Sequence, residues 1–258
     1  MPEGDTVYRS ARSLDAALHG ATLTRCDIRV PAFATVDLTG QVVHEVVSRG
    51  KHLVAHVGET TIHSHLKMEG TWHLYRHGTA WQRPAFQARI VLETADWVAV
   101  GFELGTLELF PTADDEQHLG YLGPDLLGPN WDAADAVARL GAEVERPVAV
   151  ALADQRNLAG LGNVYVNELC FLRGLLPSRP MSEVDAAGLV TLGHRLIMAN
   201  RDRAERTTTG NLRRGMRTFV YGRERQPCRR CGTRIQSGEL GRSELEKRVT
   251  YWCPRCQT

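Results

Sequence analysis

Four cysteines near the C-terminus limit what this chain can fold into more than any other feature. Cys228, Cys231, Cys253 and Cys256 follow the pattern C-x2-C-x21-C-x2-C. Two such knuckles offer four soft thiolates, the set that Zn2+ accepts in a closed tetrahedral site with no open position, so the metal is expected to be structural. The hairpin between the knuckles is too small to bury a core of its own, and a bound ion would supply its folding energy. The opening MPEGDTVYRSAR carries Glu3 and Asp5 and lacks the apolar stretch of a secretory signal. A cytoplasmic location is expected, in which paired cysteines are ligands and not disulfides. Cys26 and Cys170 stand alone in apolar surroundings and are expected in the core.

Hydrophobic residues make up 43% of the 258 positions and charged residues 24%, which excludes a disordered or collagen-like chain. No apolar run is long enough to cross a membrane as a helix. Residues 5–19 place Val7, Ala11, Leu14 and Leu18 on one face of a helix that Gly20 can end. Eight short β-rich runs follow, at 22–30, 42–48, 52–57, 60–65, 72–75, 88–93, 97–101 and 106–110, and predict a sandwich or barrel. The stretch 111–131 holds three Pro and three Gly and is expected to be a linker. Beyond it the pattern turns helical. Asp132 can cap a helix to Leu140, Pro147 suits the start of another to Ala153, and a third runs from Gly162 or Asn163 to about Arg173. Ser182 with Asp185 resembles a capping box opening a longer helix to about Asp202, before a Thr-, Gly- and Arg-rich loop at 207–217.

The net charge of +1 conceals an uneven distribution. Residues 195–258 carry sixteen Arg and Lys against six Asp and Glu, and the rest of the chain is acidic. A basic C-terminal quarter suits a polyanion, most often nucleic acid. Within the cysteine hairpin, Arg229, Arg230, Arg234, Arg242, Lys247, Arg248 and Arg255 add to this surface. The other end of the chain is chemically suggestive as well. Excision of Met1 would leave Pro2 as a free secondary amine, able to attack an electrophilic carbon and form an iminium ion. Glu3 follows as a general acid at the mouth of the first helix, whose N-terminus favours its negative charge.

Six motifs occur in order: MPEG at 1–4, RGK at 49–51, HLKMEG at 65–70, AGLGNVYVNE at 159–168, VYGRERQPCRRCG at 220–232 and RVTYWCPRCQ at 248–257. Together they resemble the formamidopyrimidine-DNA glycosylase and endonuclease VIII family of base-excision repair enzymes, over essentially the whole chain. The resemblance implies an α+β architecture: an N-terminal catalytic β-sandwich with a leading helix (1–112), a linker (113–131), a helix–two-turn–helix domain (132–217) and a zinc hairpin (218–258). It implies a monomeric bacterial enzyme that acts on damaged, double-stranded DNA with one structural zinc ion.

The resemblance also assigns roles. Pro2 is the implied nucleophile at C1′ of the damaged nucleoside, and Glu3 the acid that assists sugar-ring opening. Lys51, one of only three lysines, matches the strand lysine that contacts a phosphate and the catalytic centre. Asn163, after the turn AGLG, matches the element that grips phosphate beside the lesion. Arg248 matches the hairpin arginine that clamps the same region, with Arg242 as a rival. Met68 matches the apolar wedge that fills the space left by a flipped base, and His65 lies beside it as a phosphate contact.

The branch is read from departures. Purine-directed members begin MPELPE and carry Asp-Pro-Arg-Arg-Phe-Gly. This chain begins MPEGDT and has Phe102-Glu103-Leu104-Gly105-Thr106-Leu107 at the corresponding place. It is therefore closer to endonuclease VIII, which implies oxidised pyrimidines as substrates and strand cleavage by β,δ-elimination. Thr6 replaces a common acidic residue, and the cysteine hairpin is longer than usual. Three alternatives are a purine-directed glycosylase, an inactive zinc-dependent binder of damaged DNA, and a zinc protein that binds only protein.

Overall fold

Helix α1 (Gly4–Leu18) buries Val7, Ala11, Leu14 and Leu18, the stripe that its spacing predicts. The computed structural model describes residues 2–258. The stripe packs against two four-stranded antiparallel sheets. One has the order β1-β6-β7-β5, built from β1 (Arg25–Ile28), β5 (Thr71–Tyr75), β6 (Ala88–Glu93) and β7 (Val98–Phe102). The other has the order β2-β3-β4-β8, built from β2 (Val43–Arg49), β3 (His52–Val57), β4 (Thr60–His65) and β8 (Thr106–Pro111). Each of the eight β-rich runs contains a strand. One core joins the layers: Ile28, Ile90, Leu92 and Ala99 meet Val43, Val46, Leu53, Ala55, Ile62 and Leu107 under α1. Each fully buried aliphatic side chain stabilises this core by roughly 1.5–3 kcal/mol.

The chain divides into two compact units, Met1–Tyr121 and Leu122–Thr258. The Pro- and Gly-rich stretch expected as a linker is shared between the two units. Its first half forms a short helix α2 (Asp115–Leu119), whose Asp115 accepts from Thr61 at 2.7 Å and pairs with His56 at 2.8 Å. In its second half, Leu126 is buried in the core of the second unit. Pro and Gly mark turns here without making the chain free, because apolar and carboxylate side chains between them find partners.

The second unit is helical, with α3 (Ala133–Leu140), α4 (Val148–Ala153), α5 (Asn163–Arg173) and α6 (Ala186–Asn200). Asp132 caps α3 by accepting from the amides of Ala134 and Asp135. Two turns link α4 to α5, giving the helix–two-turn–helix. Gln155 holds them, its Oε1 accepting from Gly160 and its Nε2 donating to Leu161 O. The expected capping box is corrected. Ser182 lies in a separate 3-10 turn (Met181–Glu183), and Asp185 itself caps α6 by accepting from Gly188 N. A hairpin of β9 (Gln236–Leu240) and β10 (Arg248–Trp252) ends the unit. Cys170 is fully buried in the helical core, whereas Cys26 is half-buried at the margin of the sandwich.

Candidate functional site

Pro2 precedes α1 and is half-buried, while Glu3 is fully buried. Glu3 is the N-cap residue in extended conformation, and its carbonyl accepts from Thr6 N and Val7 N. A carboxylate here lies at the positive end of the helix dipole. Asp5, which the sequence reading passed over, is also fully buried and accepts from Thr6 N at 2.7 Å. Met1, whose excision would free the Pro2 amine, lies outside the described residues.

Lys51 occupies a two-residue turn between β2 and β3, closed by the pair Arg49 and His52. Gly50 takes φ +60° at the first central position, as a type II′ hairpin turn requires. Lys51 is only 8% exposed. Both flanking residues are tied to the segment around α2, Arg49 to Glu116 at 3.1 Å and His52 to Tyr121 at 3.3 Å.

A histidine layer lies beside this turn. Strand alternation puts Leu53 and Ile62 into the sandwich core and His52, His63 and His65 on the opposite face. His63 Nδ1 is 3.0 Å from Glu108 Oε2, and His63 Nε2 is 2.7 Å from His52 Nδ1. Burial, with the neighbouring cationic groups, holds His52 down at about 3 and His65 at about 4. His65 Nδ1 is 2.9 Å from the donating amide of Lys67. A neutral His65 therefore carries its proton on Nε2, a donor suited to an anion.

Met68 stands in the β4–β5 connection and is 59% exposed, although the preceding Leu66 is buried. The connection is tight. Lys67 has φ +51°, and a Cβ on Gly70 would lie 2.5 Å from the Leu66 carbonyl oxygen. The residues that replace the Arg- and Phe-bearing stretch form a short connection from β7 to β8, with Glu103 at φ +46°.

In the second unit, Gly162 is the N-cap of α5 and Asn163 its first residue. Asn163 Nδ2 donates to Val249 O at 2.8 Å, and the Tyr251 amide donates to Asn167 Oδ1 at 2.6 Å. These bonds seat β10 on the start of α5 and tie Asn163 to Val249, which follows Arg248 in the strand. Arg248 is exposed, whereas Arg242 is committed to Asp154 at 3.2 Å, in the turns after α4.

The sulfurs of Cys228, Cys231, Cys253 and Cys256 all lie within 4.8 Å of one another. Cys228 and Cys256 are 4.0 Å apart, Cys231 and Cys253 3.4 Å. Four thiolates about 2.3 Å from one ion stand about 3.8 Å from each other, so this cluster fits a tetrahedral metal ion. Burial pushes the Cys256 thiol up to about 12, a cost that a bound cation removes.

The sequence reading missed Glu168, although it closes the motif AGLGNVYVNE. Its fully buried carboxylate accepts from the amides of Phe219, Val220 and Tyr221 and from the Thr208 hydroxyl. The signal was available: an acid on an otherwise apolar helix needs donors.

These parts define a class: a leading helix on an antiparallel sandwich, followed by a helix–two-turn–helix and a four-cysteine hairpin. Comparison with known proteins narrows it. Residues 1–103 match the formamidopyrimidine-DNA glycosylase N-terminal domain. The chain is 53% identical to the DNA-(apurinic or apyrimidinic site) lyase Nei2 of Mycolicibacterium smegmatis, over 100% of this chain and 99% of that one. It is 52% identical to a probable endonuclease 8 2 of Streptomyces coelicolor, over 100% and 94%. Its fold is similar to that of Lactococcus lactis Fpg, solved with DNA containing an abasic site, with a TM-score of 0.82 at 22% identity and full coverage of both chains. The chain belongs to the formamidopyrimidine-DNA glycosylase and endonuclease VIII family, and its similar relatives lie in the endonuclease VIII branch.

Proposed function

We propose that this chain is a bifunctional DNA glycosylase and abasic-site lyase of base-excision repair that excises oxidised pyrimidines. The observation that carries the reading is Pro2 placed directly before the buried Glu3 at the N-terminus of α1. With Met1 removed, the Pro2 amine attacks C1′, the damaged base leaves, and an iminium links enzyme and sugar. Glu3 moves protons to and from the opening sugar, and Lys51 binds a phosphate at the reacting nucleotide. Loss of the C2′ proton then expels the 3′ phosphate, and a second elimination expels the 5′ phosphate. Positioning supplies much of the rate.

Residues 1–112 serve as the catalytic domain, 113–131 as the linker, 132–217 as the helical DNA-binding domain and 218–258 as the hairpin. Met68 is the wedge in the duplex, and its exposure supports that role. His65 donates to a phosphate. Asn163 and Arg248 grip the backbone beside the lesion, a choice favoured over Arg242 because Asp154 occupies the latter. Zinc, one ion per chain, is held by Cys228, Cys231, Cys253 and Cys256. The protein works as a monomer on duplex DNA in the bacterial cytoplasm. No described helix is long and apolar enough to cross a membrane. The short β7–β8 connection supports the pyrimidine preference, because it lacks the Arg and Phe of purine-directed members.

Borohydride trapping on a duplex with one abasic site tests the reading. A cross-link mapped to Pro2, absent in Pro2→Gly and in a Met1-retaining form, is expected. A lesion panel should then favour oxidised pyrimidines. Tight DNA binding with Met1 removed but no cross-link would leave an inactive damage binder.

A further inference from the structure

The loop at 207–217 has no place in the machinery described so far, yet it is closed by its own hydrogen bonds. Thr208 N donates to Arg217 O at 2.9 Å, closing its base. Met216 N donates to Arg213 O at 2.9 Å, forming a turn at the tip in which Gly215 has φ +76°. Between them, Asn211 Oδ1 accepts from Arg213 N, the Thr209 hydroxyl donates to Met216 O, and Arg217 Nε donates to Leu212 O. Two buried groups anchor the loop from below: Asn200 Oδ1 accepts from Thr207 N at 2.8 Å, and Glu168 accepts from Thr208.

The guanidiniums around the loop are engaged. Arg217 pairs with Glu205, and Arg206 lies over the Tyr165 ring. Arg229, inside the Cys228–Cys231 knuckle, donates to Thr218 O at 2.9 Å and to Gly215 O, and lies 3.0 Å from Met216 Sδ. Arg213 and Arg214 differ. Both are exposed at the tip, and neither guanidinium has an acceptor among the described residues. Leu212 and Met216 beside them are exposed as well. Ordering a loop of this length has an entropic cost, and one held in advance does not incur it again on binding.

We infer that this loop is a second phosphate-contacting element, which presents Arg213 and Arg214 to the nucleic-acid backbone and is braced by the metal knuckle through Arg229. The inference rests on the nucleic-acid reading above and adds to it a contact surface and a second task for the metal. Two planar guanidiniums at a turn match phosphate oxygens, and the surrounding basic surplus favours a polyanion over an acidic patch on a protein. Arg229 is a positioning residue in this arrangement.

The test is the salt dependence of binding to a short duplex with one tetrahydrofuran abasic analogue. Each phosphate contact contributes about 0.9 to the slope of log K against log salt. R213A/R214A should therefore lower the slope by about 1.8 and weaken binding roughly tenfold to a hundredfold at moderate salt. R213K/R214K, which keeps the charges, should retain the slope. Arg229→Met should keep its bound metal, speed amide exchange at 210–216, and add no further loss when combined with R213A/R214A. An unchanged slope in R213A/R214A, while wild type shows a steep one, overturns the inference and leaves the proposed function standing. Loss of binding to an acidic polypeptide alone overturns it in favour of a protein partner. A wild-type protein with no salt-dependent DNA affinity overturns both. Unchanged exchange in Arg229→Met removes the bracing role.

Discussion

His52 Nδ1 and His63 Nε2 face each other at 2.7 Å inside the sandwich unit, and one of the two must carry the proton. Glu108 decides which. Its carboxylate accepts from His63 Nδ1 at 3.0 Å, so the neutral His63 ring presents a bare Nε2, and His52 donates from Nδ1. His52 Nε2 is then an acceptor for the Tyr121 hydroxyl. The chain of bonds runs in one direction, from Tyr121 through His52 and His63 to Glu108.

This order holds only while the rings stay neutral. Burial depresses the affinity of His52 and His65 for protons, to about 3 and about 4. The unfolded chain takes up protons near the ordinary value of about 6.5, so it binds more of them than the folded state below that pH. Stability is complete above about pH 6.5 and is lost as pH falls toward 4. The loss at pH 4 should be on the order of 3 kcal/mol from each of the two histidines. Thermal melts from pH 7.5 to 4 check this, and a His52→Gln variant should show a shallower decline.

The same neutrality makes a prediction for binding. His65 offers an Nε2 proton without a charge, so it releases no counterion when it meets a phosphate. His65→Ala should weaken DNA binding by about 1–2 kcal/mol and leave the salt slope unchanged. Arg248→Ala should lower both affinity and slope, the latter by about 0.9. Titrations at several salt concentrations separate the two. A reduced slope in His65→Ala would show a charged imidazole at the contact.

Much of the fold was legible because its signals are local. The α1 stripe and the eight strands follow from apolar periodicity, and the cysteine cluster from spacing alone. Long-range partners were not legible. Alternating histidines on β3 and β4 could have been surface residues, and only the packing of Asp115 and Tyr121 over that sheet face makes them a buried network. The pairing of Arg242 with Asp154, eighty-eight positions away, was likewise not legible. Ser182 and Asp185 had the right spacing for a capping box, but the helix begins later because Asp185 provides the cap itself.

Glu168 should be costly to alter. Its carboxylate serves three backbone amides and one hydroxyl with no exposed surface. In Glu168→Gln the side-chain NH2 would face two of those donors and leave at least one amide unsatisfied, at a cost of about 2–4 kcal/mol. The effect should concentrate in 207–221, read as faster amide exchange there, with the sandwich unit unchanged. Uniform destabilisation of both units would contradict a local anchoring role.

Metal removal should affect the two units unequally. The hairpin core consists of Phe171, Val220, Ile235 and the cysteines themselves, with Leu172, Phe219 and Tyr251 packed against it, a small cluster to hold β9 and β10 without an ion. Chelation should therefore melt 225–258, release Tyr251 from Asn167 and Val249 from Asn163, and free the start of α5. DNA affinity should fall steeply. The sandwich, whose core draws nothing from the cysteine hairpin, should keep its own unfolding transition. Calorimetry before and after chelation, with readdition of zinc, follows both events. Loss of a single shared transition would mean that the sandwich depends on the metal as well, contrary to the separation of the two cores.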